Sequence, residues 1–308
     1  MAALMGALIL LLTTFIWGTA FLAQKIGGEA LGPFAVTCFR NILGGLFLFL
    51  CIFIRNLTSR NRGTSPRSGF RASGSLLAGF LCGVPLFAAM AAQQIGIGYT
   101  TPGISGFLTT NYMFVIPVLC LVLYRKLPGW HIWVGVAAAI AGTYLICMTD
   151  ERMTVGRGEL WTILCAFLFA VQMLVVDHYA KRCDVLVMSA VQLLTAAFLS
   201  VPFLFLHSES SRLSLSALCT LRSALPVFYL GVFSSGIAYT LQNFGQSRTS
   251  PAVAGVILSM ESVFAALSGY VVLGDRMTAA QSAGCIMVFF AAVFTQIFDI
   301  ISSRKSDS

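Results

Sequence analysis

The sequence predicts an all-α integral membrane protein of ten transmembrane helices, arranged as two inverted five-helix repeats. Three observations carry that reading. Of the 308 residues, 58% are hydrophobic and 10% charged, whereas soluble domains run nearer half apolar and about a quarter charged. Ten stretches reach the roughly 20 mostly apolar residues that a spanning helix needs. Finally, the segment Ala91–Gly106, AAQQIGIGYTTPGISG, returns at Thr240–Gly255 as TLQNFGQSRTSPAVAG. Gln93/Gln242, Gly96/Gly245, Thr100/Thr249, Pro102/Pro251 and Gly106/Gly255 recur in step, each pair 149 positions apart.

The spans follow in order. The first, at about 3–24, carries Trp17 within it. No Lys or Arg precedes Lys25, and the apolar run exceeds a usual signal core with no clear small-residue cleavage site after it. It is expected to remain as a helix. The second, at about 32–54, holds Arg40 about a third of the way along. The third, at about 75–97, ends on Gln93 and Gln94. Pro102 opens the fourth, at about 102–124, where its missing N–H would have no partner; Asn111 and Tyr112 lie inside it. The fifth is expected at about 129–148.

The second set begins at about 158–180, with Gln172, and continues at about 185–206, with Gln192. The eighth span, at about 223–246, carries Tyr239, Gln242 and Asn243. Pro251 opens the ninth, at about 251–273, and Glu261 falls near mid-depth. The tenth is expected at about 278–300. The units are residues 1–149 and 150–308, the second with a short tail. The shift of 149 also aligns Val122 with Val271 and Gly135 with Gly284. Five is odd, so two related halves enter the bilayer in opposite senses about an axis in the membrane plane.

The net charge of +8 is distributed as topology. Arg55, Arg60, Arg62, Arg67 and Arg71 crowd the link after span two. Arg125, Lys126, Lys181, Arg182, Arg248, Arg304 and Lys305 fall on the same side, making twelve. Lys25, Arg152, Arg157, Arg212, Arg222 and Arg276, six in all, fall on the other. The positive-inside rule then predicts a multi-pass protein of the plasma (inner) membrane with cytoplasmic N and C termini. The arginine-rich link reads as topology retention, with an anionic-lipid site as the alternative. Nucleic acid is not an expected partner, and a homodimer is compatible with the sequence. Asn56-Leu57-Thr58 matches a glycosylation pattern but falls on the cytoplasmic side.

Nine cysteines are scattered without a Cys-x-x-Cys pair, and read as buried and reduced. His131, His178 and His207 stand far apart near predicted membrane edges, so no metal site is expected. Without a phosphate-cradling Gly-x4-Gly-Lys-Ser/Thr loop, no nucleotide cofactor is implied. Trp130 and Trp161 fit interfacial belts, and Trp17 is the better cavity candidate.

Charges inside hydrocarbon mark pathways or structural partners. Glu261 reads as a proton-coupling or substrate-amine site, or as a neutral or paired structural carboxyl that locks span nine to its neighbours. Arg40 either holds an anionic substrate group by a bidentate contact, or it snorkels or caps carbonyls of a neighbouring helix. The polar candidates Gln93, Gln94, Asn111, Tyr112, Gln172, Tyr239, Gln242 and Asn243 gather mostly on spans three, four, eight and nine. They line a solute cavity together with Trp17, or they join helices. The repeated Gly-x3-Thr-x-Pro pattern reads as a tight helix–helix turn, compatible with spans that line a path.

The chain resembles the EamA-like branch of the drug/metabolite transporter superfamily. Span one ends Phe15-Ile-Trp-Gly-Thr-Ala-Phe21, like the family's Trp-Gly-small-x-aromatic element. Phe39-Arg40 is similar to its Arg-bearing second helix. The stretch from Ser259 to Asp275 is similar to its Glu-Pro-x-x-Ala-rich helix ending in Gly-Glu. Ser262 replaces the usual proline, Asp275 the terminal glutamate, and Lys126 stands at the corresponding place in the first half. The resemblance implies a ten-helix basket with a central cavity and alternating access, moving metabolites, amino acids or drug-like solutes, often outward. A channel or a non-transporting scaffold is the alternative. An intramembrane enzyme fits less well, since the histidines lie at the edges and no Gly-x-Ser-x-Gly occurs. No catalytic residue is therefore assigned.

Overall fold

A computed structural model describes residues 2–61, 69–125, 127–147, 156–206, 220–268, 270–271 and 277–306. Arg62, Arg67, Lys126, Arg152, His207, Arg212, Asp275 and Arg276, and the boundary between the proposed halves, lie outside the described residues. Among the described residues, ten helices are long and apolar enough to cross a membrane. Their limits are Ala3–Leu31, Pro33–Ser59, Gly74–Tyr99, Gly103–Leu123 and Trp130–Cys147, then Arg157–Ala180, Val185–Phe205, Ser223–Gln246, Pro251–Ser268 and Ala279–Ser302. The chain is a multi-pass membrane protein. Its outer surface shows why lipid must be the solvent: Leu8, Phe15, Phe53, Phe80, Phe198 and Phe290 are among many large apolar side chains left exposed.

Several ends differ from the expected ones for local reasons. Span one continues to Leu31, and stops where Gly32 adopts φ 88° before Pro33 opens the next helix. A left-handed residue at a helix C-terminus favours glycine because it has no Cβ to clash. Between spans three and four only Thr100 and Thr101 are non-helical, and the Thr101 side chain accepts from Ile104 N at 3.3 Å. The Gly-x3-Thr-x-Pro pattern is thus a tight capped turn here, with proline at the first helical position.

Spans four and nine are not single helices. The fourth consists of Pro102–Thr110 and Tyr112–Tyr124, interrupted at Asn111. The ninth consists of Pro251–Leu258 and Glu261–Ser268, interrupted at Ser259 and Met260. Carbonyls freed at membrane depth need donors from the protein itself. Asn111 Nδ2 donates to Phe107 O at 2.8 Å and Ser259 Oγ to Val256 O at 2.7 Å, while Ser262 Oγ adds a bond of 2.8 Å to Ser259 O, which also accepts from Ser262 N. Span eight is also irregular: Leu221–Tyr229 passes into a π-helical stretch, Leu230–Ile237, before Ala238–Gln246 resumes the α-helix.

The most extensive contacts between spans recur when each span is exchanged for the one five places on. Span one packs on spans eight and nine, as span six packs on spans three and four. Span two packs on span eight, as span seven packs on span three; two with seven, four with nine and five with ten pair directly. The duplicated glycines sit at two of these contacts. A Cβ on Gly96 would lie 2.5 Å from Thr162 Oγ1, and one on Gly245 would lie 2.5 Å from Leu10 Cγ. Both positions need a bare backbone so that two helices can approach.

Candidate solute cavity and its two approaches

The centre of the bundle is polar. Arg40, Gln93, Tyr112, Tyr239, Gln242 and Glu261 are all more than nine-tenths buried, and with Trp17 they line one cavity of about 30 Å³. That is room for one or two waters.

Arg40 does not snorkel. Its Nε donates to Ser235 Oγ at 2.9 Å and its Nη2 to Ser234 Oγ at 2.8 Å. Both serines lie in the π-helical stretch. More residues per turn narrow the angle between neighbours, which lets consecutive side chains meet one guanidinium. Trp17 Nε1 donates to Ser234 O at 3.1 Å, and the Trp17 ring lies 4.9 Å from that of Tyr239. The Arg40 end of the cavity is thus built by spans one, two and eight.

Glu261 opens the second helix of span nine, next to the break. Tyr112 opens the second helix of span four and donates from its hydroxyl to Glu261 Oε1 at 3.4 Å, 149 residues away. The residues that face each other are therefore equivalent positions of the duplicated sequence. Gln93 and Gln242, another equivalent pair, also line the cavity. Gln93 Nε2 donates to Thr109 Oγ1, and Gln242 Nε2 donates to Gln172 Oε1, each at 3.4 Å. Among the described residues, Glu261 forms no ion pair with Arg40 within 4.0 Å.

Four sequence candidates stand apart from the cavity. Asn111 serves the carbonyls of its own helix. Gln172 is fully buried behind Gln242. Gln94 and Asn243, again 149 positions apart, take opposite surroundings. Gln94 Nε2 donates to Gln24 O at 2.9 Å and lines a second cavity of about 650 Å³ with Lys25, Glu29, Gly98 and Tyr99. This vestibule opens at the end of the bundle where spans one and three finish. Asn243 instead donates to Ser189 Oγ and Gln192 Oε1 at 2.8 and 3.1 Å, fully buried near the opposite end.

Sequence reasoning missed the residue between the two spaces. Gln24 lines both the central cavity and the vestibule, and an amide inside an apolar first span was the available signal. Ser234 and Ser235 gave none, because hydroxyls are common in membrane helices and usually bond to their own helix. Phe21, Phe169 and Met173 supply the apolar wall; their residue types are those of any helix core.

The model of the EamA-like transporter family matches residues 4–148 and, again, 156–297. An uncharacterized transporter of Archaeoglobus fulgidus is 26% identical over 289 residues, which cover 94% of this chain and 84% of that protein. An uncharacterized transporter of Bacillus subtilis is 25% identical over 285 residues, covering 92% and 90%. A crystal structure superposes with a TM-score of 0.74 over 95% of this chain and 98% of the other, at 20% identity, a likeness of fold alone.

Proposed function

The chain belongs to the EamA-like transporter family, and from that premise we propose that it is a secondary carrier for a small polar solute. It works by alternating access in the plasma membrane, in the exporting direction, with both termini cytoplasmic. Residues 1–149 and 150–308 act as inverted repeats. Five spans per half, an odd number, and the extensive span contacts that recur on exchange of the halves support this. The halves bind solute between them at Trp17, Arg40, Gln93, Tyr112, Tyr239, Gln242 and Glu261. Gln94 and Asn243 belong to the approaches, and Asn111 and Gln172 hold the neighbouring backbone and amides in place.

The observation that carries the proposal is the contrast between Gln94 and Asn243. Equivalent positions of the repeat meet a roomy vestibule at one end and a closed amide–hydroxyl cluster at the other. In an inverted repeat, exchanging those two environments turns an outward-facing carrier into an inward-facing one. Glu261 is the proposed coupling group, taking a proton in one part of the cycle and releasing it in another. The titratable groups around it are Tyr112, Tyr239, Cys165 and, across the cavity, Arg40.

Thiol labelling tests alternation in a variant without the nine cysteines. With Gly98→Cys in the vestibule and Gln246→Cys at the other end, a transported solute should change the two labelling rates in opposite senses. Rates that move together, or ignore every solute that the protein carries in counterflow, would reject alternating access. Flux without saturation or counterflow would point to a channel.

A further inference from the structure

We infer that the end of the bundle beside Arg248 holds a string of buried waters, which carries protons between Glu261 and that aqueous side by a route separate from the vestibule. The inference rests on Glu261 as the coupling group and names the path that its proton takes. Among the described residues, twelve buried side-chain nitrogen or oxygen atoms have no hydrogen-bond partner, and seven of them lie in this one region. Five belong to amides of spans six, seven and eight: Gln172, Gln192, Gln242, Asn243 and Gln246, each no more than 1% exposed. The hydroxyls of Thr249 and Ser250 continue the series into the turn before span nine, where Ser250 is half-buried. A buried polar group left unserved is costly. Such a local concentration calls for a partner from outside the chain.

The unserved atoms identify that partner. Gln242 Nε2 donates to Gln172 Oε1 at 3.4 Å, yet Gln172 Nε2 and Gln242 Oε1 are both left over. Asn243 Nδ2 donates to Gln192 Oε1 at 3.1 Å, and again Gln192 Nε2 and Asn243 Oδ1 are left over. Each amide pair has thus made one bond and kept one donor and one acceptor. A water molecule accepts from the nitrogen and donates to the oxygen, serving both. A cation would serve the oxygens alone, and an anion the nitrogens alone. None of these side chains is charged, so nothing in the set offsets the charge of an ion.

The string has an inner and an outer end. Gln242 lines the central cavity together with Glu261, in a space that admits one or two waters. Gln246 stands about one helical turn further along; its nitrogen donates to Met173 O at 3.2 Å and its Oε1 remains for water. Thr249 and Ser250 then lead to the surface beside Arg248. When Glu261 releases its proton, the O–H bond breaks, the carboxylate keeps the electron pair, and the proton joins the cavity water. Each water then passes one of its own protons outward, and the last reaches bulk. Uptake runs the same relay in reverse. The amides hold the waters without titrating, and the titratable groups facing Glu261 are Tyr112, Cys165, Tyr239 and Arg40. Duplication alone does not account for the series. At the vestibule end Ile97 takes the position equivalent to Gln246, and the Thr100 hydroxyl is spent on Glu159 Oε1 at 2.6 Å. That end meets water through its cavity of about 650 Å³ instead.

The test follows the Glu261 carboxyl proton by infrared spectroscopy in full-length protein in nanodiscs, with D2O as the probe. The band of the protonated carboxyl is identified by its loss in Glu261→Gln. On mixing with D2O the band should move to its deuterated position. It should still do so when a bulky maleimide on Gly98→Cys, in the variant without the nine native cysteines, blocks the vestibule. Gln246→Met, which keeps the length of the side chain and removes its amide, should then slow the exchange roughly tenfold, as loss of one or two hydrogen bonds from the relay predicts. If Gln246→Met fails to fold, the wild-type protein decides. An experimental structure that shows ordered water should place one molecule between Gln172 Nε2 and Gln242 Oε1, and another between Gln192 Nε2 and Asn243 Oδ1. Exchange that stops when the vestibule is blocked, an unchanged rate in Gln246→Met, or either amide pair without its water would overturn the string and leave Glu261 as the coupling group. A Glu261 carboxyl with no protonated band at any pH would remove the coupling group itself, and the proton route with it.

Discussion

Glu261 has one hydrogen-bond donor, Tyr112, at 3.4 Å, and a cavity in front of it. Such a carboxyl can exchange a proton without dismantling a structural ion pair. Replacement by glutamine keeps the shape and still offers an oxygen to Tyr112, but removes the exchange. Glu261→Gln should therefore abolish net flux driven by a pH gradient while solute-for-solute exchange continues, measured side by side in proteoliposomes. Net pH-driven flux at the wild-type rate would exclude Glu261 as the coupling group. At this scale the candidate site was half legible. Arg40 and Glu261 announced themselves because full charges in hydrocarbon are rare. Asn111 looked like an equivalent candidate, but its amide is spent on Phe107 and Leu108 of its own helix. Sequence alone does not say whether a polar group faces a cavity or its own backbone.

At the scale of elements, the ten spans were legible from length and hydropathy, whereas the breaks in spans four and nine were not. Neither Thr109-Thr-Asn-Tyr112 nor Leu258-Ser-Met-Glu261 contains glycine or proline, so no local breaker marks the interruption. The signal lies in the side chains that take up the freed carbonyls, Asn111 and Ser259, and these become informative only once the break is known. Ser262, which stands where the resembled pattern has proline, adds its hydroxyl to Ser259 O. Spans five and ten give a sharper energetic case. Gly142 and Gly284 face each other, and a Cβ on Gly284 would lie 2.5 Å from Gly142 O, a backbone atom that cannot swing aside. Gly284→Ala should destabilise the protein by about 1–3 kcal/mol through forced separation of the helices. Gly98→Ala, with nothing within 4 Å of the added carbon, should change stability little. Thermal denaturation of both variants in one detergent checks the contrast; equal shifts would mean that the helix contact is loose.

At the scale of the whole molecule, one duplicated sequence occupies two unlike environments. Gln94 borders open space, while Asn243 is tied to Ser189 and Gln192. If the halves exchange these environments during a cycle, the Asn243 bonds are a latch that must break when its end opens. Interhelical hydrogen bonds in membranes contribute about 0.6 kcal/mol each. Removing two therefore shifts an open–closed equilibrium by roughly sevenfold. Asn243→Ala should raise thiol labelling of Gln246→Cys by about that factor and lower labelling of Gly98→Cys, because opening one end closes the other. Ser189→Ala, which removes one of the two bonds, should give a smaller shift in the same senses. Labelling that rises at both ends would indicate a loosened bundle. A lack of change at Gly98 while Gln246 responds would mean that the two ends move independently, and that the repeat supplies symmetry of sequence without coupling of motion.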